Sequence, residues 1–320
     1  MSIDELASRI ASIPGMLADL FARGLPPLDL RLAHRRWSVT AAGIAEGPAH
    51  YLVHLLGECA RFVPLSVLAI GPPREGDVLV IFSQGLSPNA FIALRSARYY
   101  RDTLLLTSAP PSLDGIHVVT LPPETPESGM LIRVLGPAIG RGAALLLANA
   151  IAEAEGRAHL DTPKVKVALE RAMQRAQGVE TGERVVFVMH GDDIAWVRAL
   201  AWKWMEGLWT PEPPTWDVLQ FAHGPLQSIY DSPCTVISLE REEHPSAPLF
   251  DRLGKVLVPD RHRWVRLVST LPGPLAAMEH DAALDVLMLE ALKRRPRDLA
   301  SWPGKGADEP LYALDRPIDP

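Results

Sequence analysis

The sequence contains little cysteine and no long apolar run. Its 320 residues include only two cysteines, Cys59 and Cys234, which are far apart and lie in apolar surroundings. This pattern predicts reduced thiols in or near the core and argues against a disulfide framework or a metal site. The longest apolar stretch, within residues 142–156, gains charge after about ten residues, whereas a membrane span needs roughly 18. We therefore predict a core helix there and no membrane association.

Basic clusters and a basic leader are also missing. Lys and Arg number 32 against 38 Asp and Glu, and the one basic run, "KRRPR" (293–297), is short. That run is typical of the positive end of a helix, and the charge balance argues against nucleic acid as a partner. The first residues, "MSIDELASRI", are acidic and amphipathic, unlike a secretory signal. We expect a cytoplasmic protein.

Cofactor signatures are absent as well. The sequence has neither Gly-x-Gly-x-x-Gly nor a P-loop, and its His and Cys residues do not follow metal-ligand spacings. We therefore expect no nucleotide, flavin or metal cofactor.

Alternating strands and helices fill the chain. The first half has predicted strands at 35–43, 77–85, 102–108 and 115–122, and predicted helices at 2–23, 46–62, 87–100 and 128–154. The second half has predicted helices at 164–177, 193–209 and 279–294, and predicted strands at 183–191, 234–240, 254–259 and 264–269. This order favours parallel sheets flanked by helices. We predict an α/β protein of two tandem doubly wound, flavodoxin-like domains, residues 1–160 and 161–320.

Short motifs stand at the ends of these strands and the starts of these helices. They are "TAAGIAEGPA" (40–49), "SQG" (83–85), "PESGMLIRVLGP" (126–137), "KWME" (203–206), "FAHGP" (221–225) and "RPRDLASWPGKG" (295–306). In that order they resemble the motifs of the tandem sugar-isomerase (SIS) domain family, and the resemblance covers nearly the whole chain. Its most specific part is "SQ" after an apolar strand combined with "HGP" downstream. Without a glutaminase segment before residue 1, we do not expect an amidotransferase unless a separate protein supplies ammonia.

The resemblance implies a catalytic set of Glu206, His223 and Lys203. In the family, the glutamate moves a proton between C1 and C2 of an open-chain sugar, and the histidine assists ring opening from the neighbouring subunit. The resemblance therefore implies a homodimer in which His223 acts across the interface. It places Lys203 near the substrate carbonyl or hydroxyls. A carboxylate among Trp202, Trp204 and Trp209 is also expected to have a raised pKa.

The same residues have plainer interpretations. Lys203 and Glu206 stand three residues apart on a helix, which also fits a simple surface ion pair. His223 taken alone is an ordinary loop histidine. We keep both alternatives open at this point.

The resemblance also implies substrate-binding positions. These are Ser83, Gln84, Ser87, Glu46, Glu127, Arg133 and Lys305. Family hydroxyl positions are occupied here by Gly85, Pro88, Ile44 and Ala45, so a phosphate on the substrate is left open. Arg133 fits either an anion clamp or a solvated helix residue.

The resulting hypothesis is an isomerase-type enzyme for a sugar or sugar phosphate, with aldose–ketose isomerisation, deamination or deglycation as the reaction. The alternatives are a sugar-binding regulator without turnover, an enzyme for an unphosphorylated substrate, and a different enzyme that uses Glu46 as acid or base.

Overall fold

The computed structural model describes residues 2–28, 30–70, 77–109, 113–123, 127–304, 306–307 and 310. The chain divides into two compact units. Gly15–Thr162 and Ala300–Pro320 form one, and Met1–Pro14 and Pro163–Leu299 form the other. We call them the five-stranded unit and the four-stranded unit, after their sheets. The predicted domain boundary at residue 160 stays a prediction, because a contact unit is not evidence of independent folding.

The chain begins with helix α1 (Ile3–Arg23). The further elements of the five-stranded unit are β1 (Trp37–Ala41), α2 (Glu46–Leu56), β2 (Ala60–Phe62), α3 (Leu65–Ile70), β3 (Val78–Phe82), α4 (Pro88–Ser96), β4 (Asp102–Thr107), β5 (His117–Thr120) and α5 (Leu135–Ala154). The sheet order is β2-β1-β3-β4-β5. All four pairings are parallel, and Val39 is paired with Val80, which is paired with Leu104.

Both faces of this sheet are covered. Every residue of β1 and β3 is buried, which explains why these strands are continuous apolar runs and not alternating ones. The mostly buried helix α5, expected as a core helix, packs on α2. Close approach of these helices depends on Gly140, where a Cβ would lie 2.9 Å from Pro48 Cγ.

The four-stranded unit repeats the plan. Its elements are α6 (Val165–Ala176), β6 (Val185–Met189), α7 (Ile194–Leu208), β7 (Thr215–Asp217), α8 (Pro225–Ile229), β8 (Cys234–Arg241), α9 (Ala247–Val256), β9 (His262–Ser269) and α10 (Ala276–Arg294). The sheet order is β7-β6-β8-β9, with all pairings parallel. Helix α10 packs against α6 and α7. The prediction of two parallel sheets flanked by helices is confirmed.

Four local predictions were wrong. The helix predicted at 46–62 ends at Leu56, and Ala60–Phe62 forms β2. The strand predicted at 254–259 is the end of α9 and the turn after it, because Phe250, Leu253 and Leu257 bury one helical side. The helix predicted from residue 128 starts at Leu135. Cys59 is exposed, whereas Cys234 is buried as predicted.

Candidate functional site

The crevice of interest lies at the carboxyl ends of β1 and β3. Strand β1 has β2 on one side and β3 on the other, so the strand order reverses there. In open α/β sheets, ligands bind outside the carboxyl ends of the strands at such a switch point. A cavity of about 270 Å³ occupies this position, with Ile44, Ser83, Gln84, Ser87, Glu127 and Arg133 among its lining residues. The structure therefore brings together five of the predicted substrate-binding residues.

Glu127 holds the start of α5. Its side chain is buried, and its carboxylate accepts hydrogen bonds from the backbone N–H groups of Val134 at 3.1 Å and Gly136 at 2.9 Å. Gln84 Nε2 donates a third at 3.4 Å. A carboxylate is stabilising at a helix N-terminus, where free N–H groups carry partial positive charge. Glu127 thus fixes the wall of the crevice and the orientation of Gln84.

The backbone of Ser83 and Gln84 is anchored to β4. Ser83 N–H donates to Leu106 O at 3.1 Å. Gln84 O accepts from the hydroxyl of Thr107 at 3.2 Å and from Ser108 N–H at 3.1 Å. These bonds use the backbone groups and leave the half-buried side chains of Ser83 and Gln84 at the crevice.

Ser87 occupies the N-cap position of α4, as predicted, and Pro88 its first position. Among the described residues, the Ser87 hydroxyl makes no capping hydrogen bond to the first turn of α4. The residue is exposed beside the crevice. The preceding Leu86 has a left-handed backbone with φ of 52°, which costs about 1–2 kcal/mol for a residue with a Cβ. Strained residues of this kind cluster at ligand sites.

The remaining residues predicted to bind substrate lie at different distances from the crevice. Arg133 is half-buried and lines it. Glu46 begins α2 next to the lining residue Ala45, and its carboxylate lies 3.8 Å from His50 Nε2 in the i,i+4 relationship. Lys305 lies outside the described residues.

Lys203 lies in the interior of the four-stranded unit. Its Nζ donates to Asp281 Oδ1 at 2.6 Å and to Asp285 Oδ1 and Oδ2 at 2.8 and 3.0 Å. All three side chains are at most 3% exposed. Sequence reasoning missed both partners, although two aspartates four residues apart on the apolar helix α10 were a usable signal. The geometry assigns Lys203 a buried ionic contact between α7 and α10.

Glu206 and His223 occupy less enclosed positions. Glu206 is half-buried near the end of α7, and its raised pKa stays a prediction. His223 is exposed at the turn before α8. The next residue, Gly224, has φ of 107°, and Pro225 opens α8. The His-Gly-Pro segment thus has a local structural reason, because only glycine adopts that backbone easily and proline suits the first helical position.

A second polar cluster lies at the carboxyl edge of the four-stranded sheet. We call it the histidine cluster: His190, Asp193, Arg241, His244 and Ser246. Ser246 Oγ contacts His190 Nδ1 and lies 2.7 Å from His244 Nδ1, while Arg241 Nε is 3.5 Å from Asp193 Oδ2. Burial lowers the pKa of His190 to about 3, and burial raises the pKa of Asp193 to about 6 against the opposing charge of Arg241.

Hydrogen bonds set the proton positions in this cluster. Arg241 N–H donates to His190 Nε2 at 3.4 Å, so the proton of neutral His190 is on Nδ1 and faces Ser246 Oγ. Ser246 N–H donates to His244 Nδ1 at 3.1 Å, which leaves the His244 proton on Nε2. The two histidines and Ser246 bond to one another, whereas Asp193 Oδ2 and Arg241 Nε and Nη2 are buried without a hydrogen-bond partner among the described residues. The sequence analysis did not single out this cluster.

Comparison with known proteins shows the fold. No protein-family model matches the chain, and no curated protein sequence matches it. Among solved structures, it is similar to the C-terminal domain of glucosamine-fructose-6-phosphate aminotransferase from Francisella tularensis, with a TM-score of 0.69, 11% identity, and coverage of 93% of this chain and 98% of that one.

Two further structures agree. Glucosamine-6-phosphate deaminase from Thermotoga maritima has a TM-score of 0.69 at 14% identity, covering 90% of this chain and 94% of that one. Tagatose-6-phosphate ketose/aldose isomerase from Escherichia coli has 0.66 at 15% identity, covering 94% and 92%. The tandem sugar-isomerase fold expected from the motifs is therefore confirmed over nearly the full length.

Proposed function

We propose that the protein binds a sugar or sugar derivative in the crevice of the five-stranded unit and acts on it as an isomerase-type enzyme. The observation that carries this proposal is the open crevice itself. It lies at the switch point, and polar side chains line it on an immobilised backbone. Phosphosugar isomerases and deaminases share this fold.

The lining suits a polyol. The hydroxyls of Ser83 and Ser87 both donate and accept, and the Gln84 amide does the same, which matches the paired donor and acceptor character of sugar hydroxyls. The guanidinium of Arg133 suits an anionic substituent such as phosphate or carboxylate. The Glu127 carboxylate accepts three hydrogen bonds from protein donors, which offsets its repulsion of such a group.

The proposed chemistry transfers a proton between C1 and C2 of the open-chain sugar, with Glu206 as the base. A histidine takes and gives a proton near neutral pH, which suits His223 for ring opening. Its action from a partner subunit, and hence the homodimer, is part of the proposal, as is a cytoplasmic location.

The second candidate is a sugar-binding protein without turnover. One specific observation favours it, because Lys203 of the implied catalytic set has its ammonium group buried between Asp281 and Asp285. A lysine held by two carboxylates has no donor to spare for a substrate carbonyl. The isomerase proposal therefore rests on Glu206 and His223 without Lys203.

Thermal-shift screening of the full chain against phosphorylated and unphosphorylated ketoses, aldoses and amino sugars identifies a ligand. Exchange of the C2 proton of an aldose or amino sugar, or of a C1 proton of a ketose, in deuterated water then reports the chemistry. Glu206→Gln is expected to abolish exchange while affinity stays within about tenfold of wild type. Glu290→Gln, a glutamate of α10 that pairs with Lys293, is the matched control and should exchange normally.

The outcomes separate the candidates. Saturable binding without exchange in the wild type would favour the sugar-binding protein and reject the enzyme. Ser83→Ala and Arg133→Gln should weaken binding, and a ligand whose affinity neither variant changes would contradict the proposed crevice. Unchanged exchange in Glu206→Gln would reject Glu206 as the base.

A further inference from the structure

A larger cavity lies at the other edge of the four-stranded sheet, beside the amino end of β6. Its volume is about 580 Å³, within the range of 300–1,000 Å³ typical of small-molecule sites. Its walls include the start of β6, the end of α7 and the segment after α10. We call it the tryptophan cavity. It is formed within one unit and shares no lining residue with the crevice described above.

Aromatic and proline side chains form its apolar walls. Trp204 and Trp209 line it together with Pro211, Pro213 and Pro214. Trp204 is 2% exposed and meets Phe187 edge to face, so its ring is fixed. Trp209 is 37% exposed, and its ring is therefore available to stack on a ligand.

Positive charge is concentrated at the rim. Three arginines line the cavity, and Arg295 is partly neutralised by Glu183 at 3.7 Å. No carboxylate partner of Arg184 or Arg297 is found in the described part of the chain. The remaining acid of the lining, Glu212, accepts a bond from Arg198 Nε at 3.0 Å. The cavity is therefore expected to attract anions.

Trp209 has an unusual backbone for its position. It ends α7 in the left-handed conformation, with φ of 56° and ψ of 41°, where glycine is the usual residue. A residue with a Cβ is disfavoured there, and such outliers persist where the surroundings hold them. The guanidinium carbon of Arg297 lies 5.9 Å from the Trp209 ring centroid. The cation therefore lies over one face of the Trp209 ring.

Two buried polar atoms belong to the same lining. Trp204 Nε1 and Thr210 Oγ1 are both enclosed and have no hydrogen-bond partner among the described residues. Buried donors and acceptors are nearly always paired in proteins, so such groups indicate a ligand or solvent that completes them.

We propose that the tryptophan cavity is a second ligand site, which takes a planar ring that carries an anionic group. The ring stacks on Trp209, and its charge pairs with Arg184 and Arg297. Nucleoside monophosphates and aromatic carboxylates both have this chemistry. The site is independent of the proposed sugar chemistry.

Isothermal titration of the full chain tests this proposal. The ring-bearing anions are AMP, UMP and indole-3-acetate, and the matched probes are adenosine, which lacks the charge, and inorganic phosphate, which lacks the ring. At least one ring-bearing anion should bind saturably and at least tenfold more tightly than both matched probes. Binding of AMP or UMP would indicate a nucleotide site, and binding of indole-3-acetate would indicate a site for an aromatic acid. Absence of saturable binding at millimolar concentration for all three would overturn the proposal.

Variants locate the binding. Arg297→Gln and Arg184→Gln should weaken it at least tenfold, whereas Arg261→Gln, an exposed arginine paired with Asp231 on the same unit, should leave it unchanged. Trp209→Gly should abolish binding, and glycine accepts the left-handed backbone that ends α7. Binding that survives Trp209→Gly and Arg297→Gln, or that is lost in Arg133→Gln instead, would place the ligand elsewhere and reject the site.

Discussion

The carboxyl edges of the two sheets share one topology but differ in the side chains that follow the strands. At the switch point of the five-stranded sheet, β1 is followed by Ala42 and Gly43 and β3 by Ser83, and a cavity remains. At the matching point of the four-stranded sheet, β6 is followed by His190 and β8 ends with Arg241. Small residues leave room for a ligand at the first switch point, whereas the side chains of the histidine cluster occupy the second. The four-stranded sheet has a smaller cavity at this edge, about 180 Å³, which is lined by the segments that follow β8 and β9.

Each edge also contains a buried glutamate. Glu127 accepts N–H groups at the start of α5, and Glu279 Oε2 accepts those of Thr270 at 2.8 Å and Leu271 at 3.2 Å after β9. Glu279 additionally pairs with Arg175 at 2.8 Å. The backbone support is thus common to both units. The difference teaches that the side chains after the strands, more than the fold, decide which edge can bind a ligand.

The prediction with the largest expected effect tests whether the buried polar groups of the four-stranded unit stabilise that unit. Lys203→Met leaves Asp281 and Asp285 buried without the ammonium group that compensates their charge. We expect the free energy of unfolding in urea to fall by about 3–5 kcal/mol, as for other broken buried pairs. Adding Asp281→Asn and Asp285→Asn should restore a large part of it.

The matched control is Lys293→Gln. Lys293 is an exposed lysine of α10 that lies 2.7 Å from Glu290, and its loss should cost under about 1 kcal/mol. A similarly small cost for Lys203→Met would contradict the structural role and return Lys203 to the candidate catalytic residues.

The second prediction concerns pH and the histidine cluster. Burial raises the pKa of Asp193 from 3.8 to about 6, so the folded protein keeps a proton that the unfolded chain has lost. Its contribution to stability is present below pH 3.8 and is lost as the pH rises to about 6. Two pKa units correspond to about 3 kcal/mol. Asp193→Asn should therefore gain up to about 3 kcal/mol relative to wild type between pH 4 and pH 7.

Urea titrations at several pH values measure this difference. Asp192→Asn is the control, because Asp192 is the exposed neighbour whose charge raises the Asp193 pKa only as a lesser cause. Its stability difference from wild type should change far less over the same range. An Asp193→Asn curve parallel to wild type would mean that Asp193 does not hold a proton in the folded state.

The fold was predictable because its information is local. Continuous apolar runs such as Val78–Phe82 and Val185–Met189 indicate strands buried on both faces. The edge strands β2 and β7 were missed because each has only three residues. The strand predicted at 254–259 failed because a short apolar run is equally compatible with a helix.

The candidate site was predictable only in part, for the same reason. Ser83 and Gln84 directly follow a predicted strand, so their place at its carboxyl end follows from the sequence. The partners of Lys203 lie 78 and 82 residues away, and Ser246 lies 56 residues from His190. Helix packing and the β6–β8 pairing create those contacts. The spacing of the two aspartates on α10 indicates a buried charge pair, but it does not identify Lys203 as the partner.

The third prediction compares tolerance to a single added methyl group. On α9, a Cβ at Gly254 would lie 2.8 Å from Trp264 Cη2, closer still to Cζ3, and 3.1 Å from Cε3. That ring is held, since its Nε1 donates to Ser238 Oγ at 3.0 Å and Arg266 lies over it at 4.7 Å. Gly254→Ala should therefore reduce the free energy of unfolding by about 1–3 kcal/mol. A neutral result in urea denaturation would show that the packing around Trp264 is loose.

The smallest expected change in stability is at Gly136, in the wall of the open edge. A Cβ there would lie 2.5 Å from Gln84 Oε1 and 2.7 Å from Gln84 Nε2, the far end of a side chain that can rotate away. Because alanine favours a helix over glycine by up to about 1 kcal/mol, Gly136→Ala should change stability by less than that. The displacement of Gln84 should nevertheless weaken sugar binding, by about two- to tenfold for one hydrogen-bonding side chain.

The control is Gly142→Ala, where a Cβ meets Leu17 and Leu20 away from the crevice. This variant should show the reverse pattern, with lost stability and retained binding. If both alanines instead lower stability and neither affects binding, the crevice wall is as tightly packed as the rest of α5, and the contrast between an open edge and a filled edge fails.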